Sequence, residues 1–330
     1  MGPAFLFVVD TEGDSEWTVH RRLPPVRNVH ALPRFQALCD RYGVKPTYVV
    51  THSIAADDTA VAMLRQWVAD GRAEVGTHLH PWTTPPFVSP WDDAGAFPSE
   101  LPDDLLAAKF RTLTDFITER FGQRPTSYRA GRFGFDPRSL AHLESLGYLI
   151  DSSVTPLMAW SQYPGAPGGR GGPDFTAAPL GPYRLHRDDV TRPGDSPVWE
   201  LPLTIVDDDR LPPALGGPMA DLPDGHFARK VLAKLKLQRR LWLRPTLESA
   251  PEMLDACTAA LGQGVPWFNM MIHSSELFPN TSPYFESTAS VDALFDRMDA
   301  AFSAIFRRHS PTPCTLTEAA ARLSGQAPSV

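Results

Sequence analysis

A short apolar run near the start of the chain ends abruptly in acidic residues. Residues 5–9 are all apolar, and the acids that follow stand at alternate positions: Asp10, Glu12, Asp14 and Glu16. A continuous apolar run of this length predicts a strand that is buried on both faces. The strand therefore delivers several carboxylates to its own C-terminal tip.

A second segment has the same design with imidazoles in place of carboxylates. Residues 73–82 (AEVGTHLHPW) place His78 and His80 two positions apart, and an extended backbone points such a pair to one face. Two carboxylates, Asp10 and Glu12, together with two imidazoles at strand ends are typical of a metal site. The alternative is structural, with acids that solvate a strand end and histidines that cap a loop.

Two further segments end in polar residues. Residues 125–134 (PTSYRAGRFG) place Arg129 and Arg132 at the end of a third apolar-flanked segment, and residues 266–277 (PWFNMMIHSSEL) end a strongly apolar run in His273. The chain now shows, in order, an acidic strand end, a His pair followed by Pro, an Arg-containing turn and a late strand that ends in His. In this order of motifs it resembles the polysaccharide deacetylase family, the NodB-homology or carbohydrate esterase family 4 enzymes, from about residue 5 to about residue 323.

The chain departs from the family pattern at each motif. Asp10 and Glu12 alternate, as in the branch that uses Asp-x-Asp or Asp-x-Glu, whereas most members have two adjacent aspartates. The two histidines of the family usually stand three or four residues apart, but here only Leu79 separates them. Ala-Gly follows Arg129 in place of prolines, and Ser-Ser-Glu follows His273 in place of an apolar or acidic residue.

Predicted strands and helices alternate along most of the chain. Apolar runs of strand length occur at residues 5–10, 47–51, 73–77, 126–129, 148–151, 198–203, 267–273 and 314–316. Helical patterns lie at residues 32–42, 59–69, 103–121, 137–146, 251–261 and 291–308. The alternation predicts an α/β protein with a parallel sheet and a site at the C-terminal ends of its strands. The resemblance implies a distorted, incompletely closed (β/α)7-type barrel, and we expect one domain over residues 1–330.

Two stretches interrupt the alternation. Residues 156–197 are dense in Gly and Pro and too long for an ordinary connector. They are either a segment folded over the site or a surface excursion without fixed structure. Residues 226–244 have apolar residues at helical spacing with basic residues between them. We interpret them as a helical insertion with a solvated basic face, and the alternative is a patch for an anionic lipid or a nucleotide diphosphate.

Composition argues against several classes of protein. The 330 residues carry a formal net charge of −7 and no long basic tract, which argues against a nucleic-acid partner. No apolar run approaches the roughly 18 residues that span a bilayer, and no cationic leader precedes the first apolar run. The three cysteines show no metal-type spacing and are predicted to be buried: Cys39, Cys257 and Cys314. We expect a cytoplasmic protein that acts on a small molecule or a glycan precursor, of undetermined oligomeric state.

The proposed metal site has one carboxylate and two imidazoles. Glu12, His78 and His80 would hold a divalent ion, with zinc expected, and would leave positions open for substrate as catalytic zinc sites require. Asp10 would be the general base, and Arg129 would hold it ionised because an opposite charge lowers a carboxyl pKa. The chemistry that such a site supports, and that the resemblance implies, is hydrolysis of an N-acyl group on a sugar.

The remaining roles follow from the last motif. The resemblance implies that His273 protonates the leaving nitrogen. Its orienting carboxylate is predicted to be Asp151, which ends the segment YLIDSS, or one of the three aspartates at residues 207–209. Four aromatic residues are predicted walls for a sugar face: Trp82, Phe133, Trp199 and Tyr284.

Two alternatives to a sugar deacetylase remain open from the sequence. A site of this kind also suits an amidohydrolase that acts on a linear or cyclic amide other than a sugar. A protein that binds carbohydrate without hydrolysing it would retain the groove and lose the chemistry, although the presence of ligand, base and acid candidates argues against it.

Overall fold

The structure is a computed structural model of the chain. The residues that it describes are 2–16, 23–87, 97–163, 165, 171–209, 227 and 238–325. Within those ranges, no helix combines the length and the apolar content that crossing a membrane requires.

One curled sheet forms the frame of the molecule. Its strands are β1 (Ala4–Thr11), β2 (Thr47–Val50), β3 (Glu74–Leu79), β4 (Ser127–Ala130), β5 (Ile150–Asp151), β6 (Tyr183–His186), β7 (Asp189–Pro193), β8 (Trp199–Glu200), β11 (Trp267–His273) and β12 (Thr312–Pro313), and a separate ribbon consists of β9 (Ile205–Asp209) and β10 (Gln238–Trp242). The order in the sheet is β11-β1-β2-β3-β4-β5-β8-β6-β7, with β12 also on β1. From β11 to β8 all neighbours are parallel.

The sheet does not close on itself. No pairing among the described strands joins β11 at one end to β7 at the other. The molecule is therefore an open, incompletely closed α/β barrel, and the predicted fold class is confirmed. Parallel strands present their C-terminal ends at one edge, which brings the ends of β1, β3, β4 and β11 together.

Helices connect the strands and cover the sheet. They are α1 (Leu32–Arg41), α2 (His52–Ala55), α3 (Asp58–Ala69), α4 (Asp103–Phe121), α5 (Pro137–Leu146), α6 (Ala250–Gly262), α7 (Thr288–His309) and α8 (Leu316–Leu323). The bounds of α4 and α5 agree with those predicted. Each of these two helices ends at a glycine, Gly122 or Gly147, with φ of 72° and 78°, a left-handed conformation that costs glycine little.

Side chains of β1 alternate between two apolar clusters. Phe5 and Phe7 pack edge-on against Phe302 of α7, with ring centroids 5.7 and 5.8 Å apart. Leu6 and Val8 belong to the second cluster, which α8 covers. Burial of each side chain contributes roughly 1.5–3 kcal/mol. Since strand side chains alternate, the even-numbered face that carries Leu6 and Val8 continues at the tip of β1 with the carboxylates.

The short strand predicted near residues 314–316 is present, but its bounds are wrong. The strand is Thr312–Pro313, and Leu316 begins α8. Thr315 caps that helix, because its side chain accepts a hydrogen bond from the backbone of Glu318 while Glu318 returns one, the reciprocal arrangement of a capping box. The short apolar stretch could not distinguish a strand from a capped helix start.

The predicted helix at residues 226–244 is wrong at residues 238–242. Residues 238–242 form β10, which pairs with β9 and sets Arg240 opposite Asp207 and Arg239 opposite Asp208. Both pairs form salt bridges, at 2.9 and 2.7 Å. Opposite charges across an antiparallel pair stabilise it, so a partner distant in sequence overrides the helical pattern. Residues 228–237 lie outside the described residues.

The Gly- and Pro-rich stretch at residues 156–197 contains ordered structure. Its second half forms the antiparallel hairpin of β6 and β7. In its first half, Met158 and Trp160 line a cleft at the C-terminal edge of the sheet. Of the two alternatives from the sequence, a segment folded over the site is therefore the one that residues 156–163 show.

Candidate metal and catalytic site

A cleft of about 400 Å³ opens at the C-terminal ends of β1, β3 and β11. It is lined by Asp10, Glu12, His78, His80, Phe97, Arg132, Phe133, Met158, Trp160, Gln162, Tyr163, Trp242, Arg244, Leu247, His273 and Tyr284. Five of the seven predicted site residues are among them. Of the other two, Arg129 lies behind the cleft in contact with Asp10, and Asp151 lies elsewhere.

Glu12, His78 and His80 form a group that could hold a metal ion. One ligand atom from each residue lies within 4.8 Å of the others, and all three side chains are buried. The Nε2 atoms of the two histidines are 3.0 Å apart. The one-residue spacing on an extended backbone therefore does point both rings to one place, as the sequence predicts.

The Nδ1 of His78 makes a hydrogen bond, whereas the Nδ1 of His80 faces a carboxylate without making one to any described residue. The Nδ1 of His78 donates a hydrogen bond to the backbone carbonyl of Arg129 at 2.8 Å, which leaves a lone pair on its Nε2. The Nδ1 of His80 lies 3.4 Å from Oε1 of Glu16, which also accepts from the hydroxyl of Thr83 at 2.7 Å. A backbone carbonyl and a carboxylate are the partners that usually hold metal-binding histidines.

The charges of this group suit a cation. Burial is the main cause that lowers the pKa of His78, to about 3, so its imidazole is neutral and able to bind a metal. Burial, followed by the charges of Glu16 and Asp10, raises the pKa of Glu12 well above its ordinary value. Nε2 of His78 carries a lone pair, and it lies with a ring nitrogen of His80 and a carboxylate oxygen of Glu12 in one group of possible ligand atoms. The donor set therefore fits a divalent ion.

Asp10 lies between the possible metal group and His273. Its Oδ1 accepts a hydrogen bond from Arg129 at 2.7 Å, and its Oδ2 lies 3.9 Å from Nε2 of His78 and 3.8 Å from Nε2 of His273. Burial raises the pKa of Asp10, but the charge of Arg129 with those of the two histidines outweighs burial and lowers it to about 2. Arg129 is itself fixed by Ser152, through the carbonyl at 2.7 Å and the hydroxyl at 2.9 Å.

The carboxylate that orients His273 is Glu276, and the sequence prediction on this point is wrong. Oε1 of Glu276 lies 2.8 Å from Nδ1 of His273 and accepts from Nη2 of Arg244 at 2.9 Å. The predicted candidates are engaged elsewhere, because Asp207 and Asp208 form the salt bridges of the β9–β10 ribbon. The side chain of Asp209 lies outside the described residues.

Asp151 belongs to a buried acid pair behind the site. Its two oxygens accept from the backbone and the hydroxyl of Ser153 at 3.1 and 2.7 Å, and it also interacts with Glu200. Burial is the main cause that raises the pKa of both carboxyls. Oε2 of Glu200 has no donor partner in the described part of the chain, which fits a protonated carboxyl that donates to Asp151. Asp151 therefore lies outside the cleft lining and bonds Ser153 at the end of β5.

The aromatic wall of the cleft differs from the one predicted. Phe133 and Tyr284 line the cleft as expected. Trp82 is fully buried and packs on His80 with centroids 4.3 Å apart, and Trp199 bonds Ser324 outside the cleft. In their place, Trp160 stacks on Phe133 at 5.3 Å and Trp242 lies 6.1 Å from the same ring.

Sequence reasoning missed four residues of the site: Glu16, Trp160, Arg244 and Glu276. The signal for Glu16 was its membership of the first acidic cluster. Glu276 stands three residues after His273, a spacing that brings side chains together in a helical turn. Trp160 and Arg244 gave no such signal, because they come from the two insertions.

Neither a protein-family model nor a curated protein matches the sequence. Solved structures do match. A putative polysaccharide deacetylase from Mycobacterium smegmatis has a TM-score of 0.53 and 14% identity, over 100% of this chain and 94% of that one. A putative glycoside hydrolase/deacetylase from Parabacteroides distasonis has a TM-score of 0.60 and 15% identity, over 99% of this chain and 73% of that one. A GH57 branching enzyme from Thermococcus kodakaraensis has a TM-score of 0.51 and 12% identity, over 100% of this chain and 72% of that one.

These likenesses define the class of fold. The chain shares its architecture with polysaccharide deacetylases, as the order of motifs predicts. The same architecture also carries a branching enzyme, so the fold alone does not select the reaction. The selection has to come from the residues of the site.

Proposed function

We propose that the chain is a metal-dependent hydrolase that removes an N-acyl group, most simply N-acetyl, from a sugar or a sugar-containing precursor. The observation that carries this proposal is the position of Asp10, whose Oδ2 lies within 4 Å of both His78 Nε2 and His273 Nε2. One ionised carboxylate thus stands between a possible metal group and a second imidazole. Metal-assisted amide hydrolysis can use these three functions side by side, to activate water, to accept its proton and to protonate the leaving nitrogen.

Each residue has a distinct task in the proposed reaction. A divalent ion held by Glu12, His78 and His80 would supply Lewis acidity and lower the pKa of water. Asp10 would accept a proton from the attacking water at Oδ2, while Arg129 keeps the other oxygen occupied and the carboxyl ionised. His273 would donate a proton from Nε2 to the amide nitrogen as the C–N bond breaks, which releases the amine and the carboxylic acid.

The residues favour acyl hydrolysis over glycoside hydrolysis. Glycosidases of the usual kind place two carboxyl groups on either side of the scissile bond, one as acid and one as base or nucleophile. Here Glu12, the second carboxylate at the tip of β1, belongs with His78 and His80 to the group that could hold a metal ion. The side chain next to Asp10 on its other side is an imidazole, that of His273. An imidazole acid and a possible metal group suit a nitrogen leaving group and an acyl oxygen.

The test is metal-dependent acyl release. The protein is stripped with a chelator, reloaded with zinc, cobalt, manganese or magnesium in turn, and incubated with N-acetylated monosaccharides, sugar nucleotides and oligosaccharides, with linear and cyclic amides as the comparison panel. We expect about one ion per chain and release of acetate from a sugar. An ion bound in that ratio without acyl release from any sugar would contradict the proposal, and hydrolysis confined to the other amides would assign a different substrate class.

Variants assign the residues. His80→Ala should lose metal and activity together, and His142→Ala, which removes an imidazole from a site on α5 that bonds Asp103, should lose neither. Asp10→Asn should keep the ion and lower kcat by about 100-fold, the scale of a lost general base. If His80→Ala retains full metal content, His80 does not bind the ion. If Asp10→Asn loses the ion, the roles of Asp10 and Glu12 are reversed.

A further inference from the structure

Two N–H donors in the wall of the cleft have no acceptor in the part of the chain that the structure describes. The indole Nε1 of Trp242 and the guanidinium Nε of Arg244 are buried, and neither makes a hydrogen bond with any residue that the structure describes. The two side chains are only 7% and 6% exposed, and both line the cleft. Folded proteins rarely leave a buried donor without an acceptor, because that donor has lost its water without compensation.

The two donors come from one short segment. Trp242 ends β10, and Arg244 follows two residues later, so both extend from the β9–β10 ribbon into the same cleft. Nη2 of Arg244 contacts Glu276 at 2.9 Å and Nδ1 of His273 at 3.3 Å, whereas its Nε has no acceptor among the described residues. The guanidinium carbon lies 5.2 Å from the ring centroid of Trp242 and 5.7 Å from that of Tyr284, so aromatic rings hold this cation in place.

The cleft carries a second guanidinium group. Arg132 lines the same cleft, with its guanidinium carbon 5.4 Å from the ring centroid of Phe97 and 5.9 Å from that of Trp82. Arg132 also has φ of 54°, a left-handed conformation that is strained for a side chain of this size. Arg132 and Arg244 line a cleft that Asp10 and Glu12 also line, and a guanidinium group is a strong hydrogen-bond donor to a carboxylate or a phosphate.

The rest of the wall suits the apolar face of a sugar ring. Phe133 and Trp160 are stacked with an interplanar angle of 28°, and Trp242 lies 6.4 Å from Trp160. This wall combines an aromatic surface with cationic N–H donors. A ligand that complements both features has a ring with an apolar face and an oxygen group that only accepts hydrogen bonds.

We infer that Trp242 and Arg244 form a subsite for an anionic oxygen group, and that the substrate of the proposed deacylase is an acidic sugar. The inference rests on the proposed function for the reaction, but the subsite itself depends only on the two donors. A carboxylate or a phosphate has only acceptor oxygens to present to these N–H groups, and both side chains line the cleft that it would enter.

Three ligands that differ only at carbon 6 test the subsite: glucosamine, glucosaminuronic acid and glucosamine 6-phosphate. They lack the acyl group, so the zinc-loaded protein cannot turn them over while calorimetry measures their dissociation constants. We expect at least one acidic ligand to bind about tenfold more tightly than glucosamine, the effect of one charge-assisted hydrogen bond. The tighter of the two acidic ligands identifies carboxylate or phosphate as the preferred group.

Variants connect the preference to the two donors. Trp242→Phe keeps an aromatic ring and removes the N–H. The ratio of the dissociation constant of glucosamine to that of the preferred acidic ligand should therefore fall about threefold to tenfold. Arg244→Met should bring this ratio close to one. Trp199→Phe is the matched control, because the indole of Trp199 bonds Ser324 outside the cleft. If Arg244→Met does not fold, Trp242→Phe and its control decide.

The outcomes separate the subsite from the reaction. Equal affinity for all three ligands, no binding of either acidic ligand, or a preference that survives in both variants overturns the subsite. Acetyl release from the N-acetyl forms of the same sugars is then measured with the wild-type protein. Acetyl release without a preference for acidic ligands supports the proposed function and rejects the subsite. A preference for acidic ligands without acetyl release supports the subsite and contradicts the proposed function.

Discussion

Oε1 of Glu276 lies 2.8 Å from Nδ1 of His273, three residues earlier in the chain. The same carboxylate binds Arg244 and the hydroxyl of Thr246. Burial raises the pKa of Glu276, but the charge of Arg244 and the contact with His273 outweigh burial and lower it. Glu276 lies closer to Nδ1 than Nη2 of Arg244 does, at 2.8 against 3.3 Å, which favours a proton on Nδ1. Nε2 faces Asp10, so the proton that His273 would donate as a general acid is a second one, carried on Nε2.

The first prediction concerns this carboxylate. Glu276→Gln keeps the shape of the side chain but removes its charge, so we expect kcat to fall about 10- to 100-fold, the usual cost of losing an orienting partner, with metal content unchanged. Glu286→Gln, the same change at an exposed position, should have no effect. Steady-state kinetics with metal analysis measure both. A Glu276→Gln protein with wild-type kcat would show that His273 needs no carboxylate partner.

The second prediction concerns proton donation by His273. A poor amine leaving group needs a proton before the C–N bond breaks, whereas a good leaving group such as nitroaniline does not. His273→Ala should therefore lower the rate on an N-acetyl sugar by about 100-fold or more and leave the rate on an acetyl nitroanilide within about tenfold of wild type. An equal loss on both amides would mean that His273 is not the general acid.

The third prediction concerns the close approach of Gly131 to His80. A Cβ atom added to Gly131 would lie 2.3 Å from Cδ2 of His80 and 2.6 Å from the carbonyl of Leu79, so Gly131→Ala must displace the imidazole or its backbone. We expect weaker zinc binding, measured by chelator competition, and lower activity in proportion. Gly262→Ala has no atom within 4 Å of the added carbon and serves as the control. Unchanged zinc affinity in Gly131→Ala would argue against His80 as a ligand.

The fourth prediction concerns the acid pair of Asp151 and Glu200. Burial and then the charge of Asp151 raise the pKa of Glu200 well above 4.5, so above that pH the folded chain holds a proton that the unfolded chain has released. The free energy of unfolding therefore falls as pH rises from about 4.5 through the folded pKa.

Gln cannot ionise, and its amide can donate to Asp151 as the protonated acid does. Relative to wild type, Glu200→Gln should be increasingly stable between about pH 5 and pH 8, measured by denaturant unfolding, while Glu286→Gln should follow wild type. A Glu200→Gln protein that loses stability relative to wild type over that range would show that Glu200 is ionised in the fold.

Local sequence was enough to predict the strand ends that carry chemistry. The run before Asp10 is buried because it is wholly apolar, and His78 and His80 converge because an extended backbone repeats every two residues. Glycines marked the ends of α4 and α5 because a left-handed residue there favours glycine. Each of these predictions needed only a few neighbouring residues.

The walls of the cleft could not be predicted in the same way. Trp160 lies in a stretch whose Gly and Pro content suggested a segment without fixed structure as readily as a folded one. Trp242 and Arg244 lie in a stretch whose spacing suggested a helix. Pairing of Arg240 with Asp207 made that stretch a strand, and a contact between residues more than thirty positions apart leaves no local pattern.

An α/β chain with carboxylates and imidazoles at the tips of parallel strands follows from local sequence, because strand burial and side-chain alternation are local properties. The pairing of carboxylates with imidazoles follows from the fold, in which Glu16 lies near His80, Glu276 contacts His273 and Asp151 interacts with Glu200. Such partnerships depend on how the sheet curls and where its loops return, and electrostatic attraction acts on distance in space, not on separation along the chain.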